Sequence, residues 1–353
     1  MSDNVLFFVF SFLVCFFTIA ALKPVAYKIG LVDQPNARKV HSGHVPLIGG
    51  IGIFVGIILS SVTFLEVDAL LIFYLVSAGI LLILGVFDDK FDLPVRVRIA
   101  VQLLIGIIMS YYFEIQLISF GYIFGSWELT LGVMSPVITI IAVIGAINAF
   151  NMVDGIDGLA GTLSLVSFAF LAILLFSTGS VWWKIAFSFI PAILAFLVFN
   201  LKWPIKGVKK VFLGDAGSMV IGFTIVWLLV KGTTGNEAAL KPVTGLYIIA
   251  LPLMDMVAIM FRRIKKGASP FKPDREHLHH ICERAGYTRK QSLCGISIIA
   301  LVIASLGVCM QLANTPEWFM FALFIAMFLI YNYAIIHIWR LLSWVRKHRP
   351  RSQ

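Results

Sequence analysis

Residues 69–89 read ALLIFYLVSAGILLILGVFDD, an uncharged and mostly apolar stretch that ends in two adjacent aspartates. About 20 such residues are enough for a helix to cross the roughly 30 Å hydrocarbon core of a membrane. Similar stretches recur along the 353-residue chain, which is 60% hydrophobic and only 13% charged. A soluble protein could not cover its surface with so few charges. The sequence therefore predicts an all-α, polytopic membrane protein.

We predict eleven transmembrane helices in a single integral-membrane domain that covers residues 1–353. The expected helices are 4–22, 46–65, 68–87, 97–113, 131–150, 159–177, 182–200, 216–231, 243–262, 292–312 and 317–339. The segment 114–130 contains two glutamates and two glycines, and it is predicted to be a loop.

The distribution of Lys and Arg predicts the orientation. With an outside N-terminus, 25 of the 28 Lys and Arg fall in inside segments, and only Lys184, Lys231 and Lys241 lie outside. Because short loops rich in Lys and Arg stay in the cytoplasm, the C-terminus is expected there too. The net charge of +10 follows mostly from this bias and calls for no nucleic-acid partner.

Acidic and histidine residues collect on the same side. Nine of the eleven Asp and all seven His fall on the inside half of this map. Carboxylates beside lipid are expensive and usually mark function. Asp88 and Asp89 must repel each other, so either one is protonated or a cation lies between them. A hydrated turn with Lys90 and Asp92 is the simpler alternative.

Two further motifs carry polar groups at the ends of apolar runs. Asn148, Asn151, Asp154 and Asp157 are spaced by three residues, and their amides and carboxylates suit a metal or a sugar nucleotide. Helix capping at the membrane surface is the alternative. Asp215 lies in GDAGS, where the glycines and the N-terminus of the following helix favour binding of an anion. A metal ion that bridges Asp215 and the anion would offset the repulsion between their negative charges. Here the alternative is that Asp215 is itself an N-cap.

Residues 263–291 are predicted to form a cytoplasmic basic and histidine-rich loop with a short amphipathic helix. The helix is expected at 275–285, with Asp274 as N-cap and Gly286 after its end. His277 and His280 would share one of its faces. Their spacing does not suit zinc, so phosphate contact is favoured, and membrane anchoring is the alternative for the basic residues. Asp255 either faces the polar cavity or pairs with a lysine at its rim.

The order of DDKFDL (88–93), NAFNMVDGIDGL (148–159), VFLGDAGS (211–218) and HLHH (277–280) resembles one family over nearly the whole chain. The family is that of polyprenyl-phosphate N-acetylhexosamine-1-phosphate transferases. The resemblance implies transfer of GlcNAc-1-phosphate from UDP-GlcNAc to undecaprenyl phosphate, which gives undecaprenyl-diphospho-GlcNAc and UMP. It also implies a site on the cytoplasmic face of the bacterial inner membrane and a role in starting lipid-linked O-antigen or common-antigen synthesis.

The resemblance assigns residue roles as well. Asp88 and Asp89 match the catalytic pair, and Asp215 and Asn151 match positions that hold Mg²⁺ or Mn²⁺. The residues expected to bind substrate are Asp154, Asp157, Arg98, His277, His279, His280 and Arg263. We expect direct attack by the lipid phosphate, since a phosphate monoester is mostly dianionic at neutral pH and needs no strong base. A covalent aspartyl-phosphate intermediate is the alternative route.

Three other functions stay open at this level. The same chemistry could use another UDP-N-acetylhexosamine or serve teichoic acid linkage, and the catalytic motifs do not separate these cases. A transporter for an anionic solute would place its polar residues near the membrane midplane in repeated halves, and no such repeat is found. The sequence does not decide whether the protein forms a homo-oligomer.

Overall fold

The computed structural model describes residues 2–34, 43–205, 207–235, 238–267, 269 and 277–337. The helices are α1 Ser2–Ile29, α2 Gly49–Phe64, α3 Ala69–Phe91, α4 Val95–Ile107, α5 Ser135–Val153, α6 Leu159–Ser177, α7 Trp183–Leu201, α8 Gly214–Thr233, α9 Pro242–Ile248, α10 Ala250–Lys265, α11 Leu278–Arg284, α12 Arg289–Leu312 and α13 Glu317–Ile336. Two short strands, β1 Val32–Asp33 and β2 Val45–Pro46, pair antiparallel.

The helical, multi-pass prediction is confirmed. Among the described residues, nine helical segments are long and apolar enough to cross a membrane, and α9 and α10 meet the same criterion only when taken together, as a pair bent by 83°. Helix α2 is shorter, because its 16 residues extend only about 24 Å. Each of the eleven predicted spans thus contains a helix, while the count of eleven crossings and the orientation stay predictions.

Helix α8 is the centre of the bundle and is buried along almost its whole length. It packs against α2, α3 and α5. Small residues allow these backbones to touch: a Cβ on Gly50 would overlap the backbone of Gly217, and a Cβ on Gly85 would overlap that of Ala216. The close approach at Gly85 brings the C-terminal end of α3 directly against the first turn of α8. This contact sets the position of the acidic residues described below.

The segment 114–130 is a loop, as predicted, and one isolated bridge between Ser119 and Thr130 closes it. The predicted helix of the histidine loop is only partly correct. Helix α11 begins at Leu278 and not at 275, because His277 is extended with φ −67° and ψ 154°. Gly286 follows the helix with φ +91°, as expected. The predicted cap Asp274 lies outside the described residues.

Candidate active site

Asp88 lies near the C-terminal end of α3 and is only 4% exposed, which rules out the hydrated turn. Its Oδ2 accepts a hydrogen bond from Arg98 Nη1 at 2.6 Å, and its Oδ1 accepts the backbone N–H of Leu93 at 2.8 Å. Arg98 comes from the first turn of α4. A charged pair of this kind offsets the cost of burying a carboxylate near lipid. Asp88 therefore carries its own counter-ion.

Asp89 has a different environment from its neighbour. Its Oδ1 accepts the backbone N–H of Asp215 at 2.9 Å, and its Oδ2 accepts that of Ala216 at 3.3 Å. The first N–H groups of a helix have no partner within the helix, so Asp89 caps α8 from outside it. The alternative that Asp215 is its own N-cap is therefore wrong. The Asp215 carboxylate remains available for other contacts.

Asp215 meets groups from three other helices. Asn151 Nδ2 donates to Asp215 Oδ1 at 2.7 Å and also reaches Ser218 Oγ at 3.0 Å. Arg98 Nη1 lies 3.9 Å from Asp215 Oδ2, and Asp89 of α3 accepts the Asp215 backbone N–H. The Asp215 side chain is 38% exposed, so it is open to solvent at this end of the bundle. Three carboxylates here face one guanidinium, which leaves an excess of negative charge.

This donor set fits a hard divalent cation. Asp215 offers a carboxylate oxygen, and Asn151 offers an amide oxygen once its side chain is turned, a rotation that exchanges O and N. Among the described residues, no three His, Cys, Asp or Glu side chains form a ready-made metal cage. Mg²⁺ does not need one, because it is commonly bound through one or two carboxylates together with substrate phosphates and water. A cation would also relieve the repulsion between Asp88 and Asp215.

Asn148 acts on the position of Arg98 and not on the acidic residues. Its Nδ2 donates to Gln102 Oε1 at 3.0 Å and to the carbonyl of Ile144 at 2.7 Å. Gln102 is 1% exposed and lies one turn after Arg98 on α4. The bond between Asn148 and Gln102 fixes the position of α4 against α5. It therefore also fixes the position of the Arg98 guanidinium. A lone amide inside the apolar run 99–108 was the sequence signal for Gln102, and our sequence interpretation missed it.

Asp154 and Asp157 lie in the turn between α5 and α6. Desolvation by the surrounding residues, followed by repulsion from the carboxylates of Asp215 and Asp157, raises the pKa of Asp154. Part of the Asp154 side chain is nevertheless exposed to solvent. Asp157 Oδ2 pairs with Lys210 Nζ at 2.6 Å. Lys210 adds a positive charge to the site that the motif analysis did not single out.

A buried amide holds this turn in place. Asn200 Oδ1 accepts the N–H of Gly158 at 2.6 Å, and Asn200 Nδ2 donates to the carbonyl of Val211 at 2.9 Å. Gly158 has φ +79°, a conformation that favours glycine. Asn200 therefore ties the turn that carries Asp157 to the segment that leads into α8. The sequence interpretation did not identify Asn200, because nothing in the spacing links it to either motif.

His279, on α11 of the histidine loop, packs over the same turn. His279 is 2% exposed and packs so closely on Gly155 that a Cβ there would overlap its ring. Burial, together with the neighbouring His280 and His277, lowers the pKa of His279 to about 3. Its Nε2 is buried and has no hydrogen-bond partner within the described part of the chain. Arg263 is buried in the last turn of α10.

The motifs that are far apart in sequence thus meet on one face of the bundle. The family model described as glycosyl transferase family 4 matches residues 70–233, which include Asp88, Asn151 and Asp215. Proteins named undecaprenyl-phosphate alpha-N-acetylglucosaminyl 1-phosphate transferase are similar over nearly the full length. Those of Escherichia coli (strain K12) and Yersinia pestis are each 45% identical over 99% of this chain and 95% of theirs. That of Pasteurella multocida (strain Pm70) is 45% identical over 97% of this chain and 96% of its own.

The chain belongs to the polyprenyl-phosphate N-acetylhexosamine-1-phosphate transferase family. Membership in this family confirms the resemblance that the ordered motifs predicted, and it confirms the expected enzyme class over a transporter. The histidine loop lies beyond the 70–233 match, but the full-length relatives include it. The individual roles of the acidic and histidine residues stay predictions.

Proposed function

We propose that the protein transfers GlcNAc-1-phosphate from UDP-GlcNAc to undecaprenyl phosphate and releases UMP. The relatives carry a name that describes this reaction. The observation that carries the proposal for this chain is the meeting of Asp88, Arg98, Asn151 and Asp215 at the ends of four helices. Such a group suits two anionic phosphates and a cation, and it opens on the inner surface beside the membrane.

Asp215 and Asn151, with Asp88 beside them, are the residues that would hold Mg²⁺ or Mn²⁺. When bound, the cation would neutralise the charge of the UDP diphosphate as the bond to UMP breaks. Arg98 supports the same task, since it stands between Asp88 and Asp215 and its side chain is 21% exposed. Lys210 supplies a second positive charge near the turn of Asp157.

The chemistry proceeds by direct displacement. An oxygen of the lipid phosphate forms a bond to the β-phosphorus of UDP-GlcNAc, and the bond from that phosphorus to the UMP oxygen breaks. Neither aspartate of the pair is free to act as the nucleophile, because Asp88 is bound to Arg98 and Asp89 holds the backbone of α8. We assign Asp88 to the orientation of Arg98 and Asp89 to the position of Asp215. Catalysis then rests on position and charge.

The reaction belongs on the cytoplasmic face of a bacterial inner membrane, where it would begin the synthesis of O-antigen or common-antigen polysaccharide. The bias of Lys and Arg toward the segments near the site supports this orientation. Single cysteines at Trp127 and Lys209, two exposed positions in the loops at opposite ends of the bundle, test it. A membrane-impermeant maleimide should label Trp127→Cys from the periplasm and Lys209→Cys only after the membrane is opened. Labelling of both from one side would refute the orientation.

Product analysis tests the substrates. The purified protein is given undecaprenyl phosphate, Mg²⁺ and a panel of UDP-sugars, with Asp215→Asn as the inactive control. We expect UMP release and a lipid-linked product with UDP-GlcNAc. A preference for another UDP-N-acetylhexosamine would keep the chemistry and change the sugar, including the sugar of a teichoic acid linkage. The absence of UMP release with every sugar would overturn the proposed function.

A further inference from the structure

Asp255 is a buried carboxylate outside the acidic cluster described above. It lies on α10, shortly after the bend at Ile249, and is 3% exposed. Its Oδ1 accepts hydrogen bonds from Tyr331 Oη at 2.6 Å and from the backbone N–H of Leu278 at 3.2 Å. Its Oδ2 lies 2.9 Å from His277 Nδ1. Asp255 therefore does not need a lysine at the rim of the cavity as its partner, which was one of the two alternatives from the sequence.

The three partners explain how the charged carboxylate of Asp255 is stabilised in the interior of the bundle. A carboxylate next to lipid is costly unless it is paired and hydrogen-bonded. Here two of its partners belong to the histidine loop, and the third belongs to α13. Leu278 is the first residue of α11, and His277 offers no side-chain bond to cap that helix. Asp255 therefore fixes the point at which α11 begins.

The same contact selects one form of His277. An ionised carboxylate can only accept, so the nitrogen that faces it, Nδ1, must carry the proton. The hydrogen bond at one imidazole nitrogen decides which nitrogen is protonated, and this leaves Nε2 of His277 for a contact elsewhere. Asp255 holds both the ring orientation and the tautomer of this histidine.

A short chain of contacts connects Asp255 to the candidate active site. The ring of His277 stacks on that of His279, with centroids 5.7 Å apart and planes 10° from parallel. His279 in turn packs on Gly155, which follows Asp154 in the turn between α5 and α6. A shift of His277 would therefore displace the ring that covers this turn.

We propose that Asp255, supported by Tyr331, is a positioning residue for the transfer reaction: it holds His277 as the Nδ1-protonated tautomer and anchors α11, so that His279 stays packed on the Asp154–Asp157 turn. The inference rests on the proposed function. Asp255 touches no reacting atom and acts through the two residues it binds. The proposed function assigns the turn and the loop to the sugar nucleotide, so loss of the anchor should weaken the use of UDP-GlcNAc more than that of the lipid phosphate.

Three variants test this proposal. Asp255→Asn keeps the shape but removes the charge, and Tyr331→Phe removes one hydroxyl from the anchor. Tyr247→Phe is the matched control, because Tyr247 Oη also makes a buried 2.6 Å bond to α13, at the carbonyl of Met320, without touching the loop. Steady-state rates are measured with each substrate varied in turn. Thermal unfolding reports the folded fraction.

We expect Asp255→Asn to lower kcat/KM for UDP-GlcNAc about 10- to 100-fold, by analogy with the loss when the hydrogen-bond partner of a metal-bound histidine is removed. The KM for undecaprenyl phosphate should change less than about twofold, and Tyr331→Phe should show the same pattern at about fivefold. Tyr247→Phe should retain the wild-type value. Equal losses in Tyr331→Phe and Tyr247→Phe, or a lower rate with both KM values unchanged, would overturn the proposal. If Asp255→Asn does not fold, the comparison of the two tyrosine variants decides alone.

A second measurement does not depend on turnover. Cys282 lies on α11 and is half-buried, and burial raises the pKa of its thiol, so that it reacts slowly with maleimide. In a Cys294→Ser/Cys309→Ser background, Asp255→Asn and Tyr331→Phe should speed labelling of Cys282, and Tyr247→Phe should not. Unchanged labelling in both variants would refute the anchor. A wild-type protein that releases no UMP but shows this labelling pattern would refute the proposed function and leave the anchor standing.

Discussion

The carboxylate of Asp89 caps the helix that carries Asp215, although 126 residues separate them: Asp89 Oδ1 accepts the backbone N–H of Asp215 at 2.9 Å. The close contact of Gly85 with the backbone of Ala216 makes this bond available. One member of the aspartate pair is therefore part of the framework that presents another acidic residue. Asp88, one position earlier, faces Arg98 instead.

This division predicts different consequences for the two conservative changes. Asp89→Asn keeps one oxygen but turns an N–H donor toward the N–H groups of α8, so we expect a loss of roughly 1 kcal/mol of stability as well as of activity. Asp88→Asn leaves α8 capped, and its main effect should be on the rate. Thermal unfolding and UMP release are measured for both. Identical unfolding temperatures and identical rates would contradict the division.

Asp215→Asn should abolish turnover while the protein still folds and inserts. An amide oxygen at this position can still accept the bond from Asn151, so the packing of α5 on α8 is retained. The charge that a divalent cation needs is lost, and the dependence of the rate on Mg²⁺ should weaken. The measurement is UMP release over a series of Mg²⁺ concentrations. Normal activity at ordinary Mg²⁺ would remove Asp215 from the metal site.

The sequence was sufficient to predict the helices and to predict which polar residues gather at one end of the bundle. Apolar length and the placement of charge are local signals, and they located a helix in every predicted span. They could not show that α9 and α10 meet at 83°, because a bend depends on what the two helices pack against. They also could not show that Asp89 serves α8, since that bond depends on tertiary contact.

The sequence interpretation missed Asn200 and Gln102 for the same reason. Asn200 and Gln102 are single amides in apolar helices, and their partners come from other segments. The predicted start of α11 was wrong because Asp274, which precedes the helix in the sequence, was taken as its N-cap. The group that receives the N–H of Leu278 is Asp255, which is 23 residues away.

Gly155→Ala should disturb the contact between the turn and the histidine loop. A methyl group at this position would overlap the ring of His279, which must then move. We expect the rate to fall about 10- to 100-fold, as misplacement by about 1 Å can do. Gly295→Ala on α12 is the control, because nothing lies within 4 Å of the added Cβ. Equal rates for the two variants and the wild type would show that the loop tolerates the shift.

His279 should make the protein sensitive to acid. Its pKa is lowered to about 3 in the folded state from an ordinary value of 6.5, so the unfolded chain binds the proton more readily. The stability that this neutral ring contributes is complete above about pH 6.5 and is lost as the pH falls toward about 3. Thermal unfolding of the wild type and His279→Asn over this range checks it. The variant should show a shallower dependence, and parallel curves would contradict the assignment.

The route of the reaction can be decided by omitting the lipid acceptor. With direct attack, enzyme and UDP-GlcNAc alone should release no UMP, because the attacking oxygen belongs to the lipid phosphate. With an aspartate as nucleophile, the same mixture should release about one UMP per active site in a burst and retain labelled phospho-GlcNAc on the protein. We expect no burst, since the Asp88 oxygens are bound by Arg98 and Leu93 and those of Asp89 by the N-terminus of α8. A stoichiometric adduct on either residue that passes its phosphosugar to added lipid would overturn direct attack.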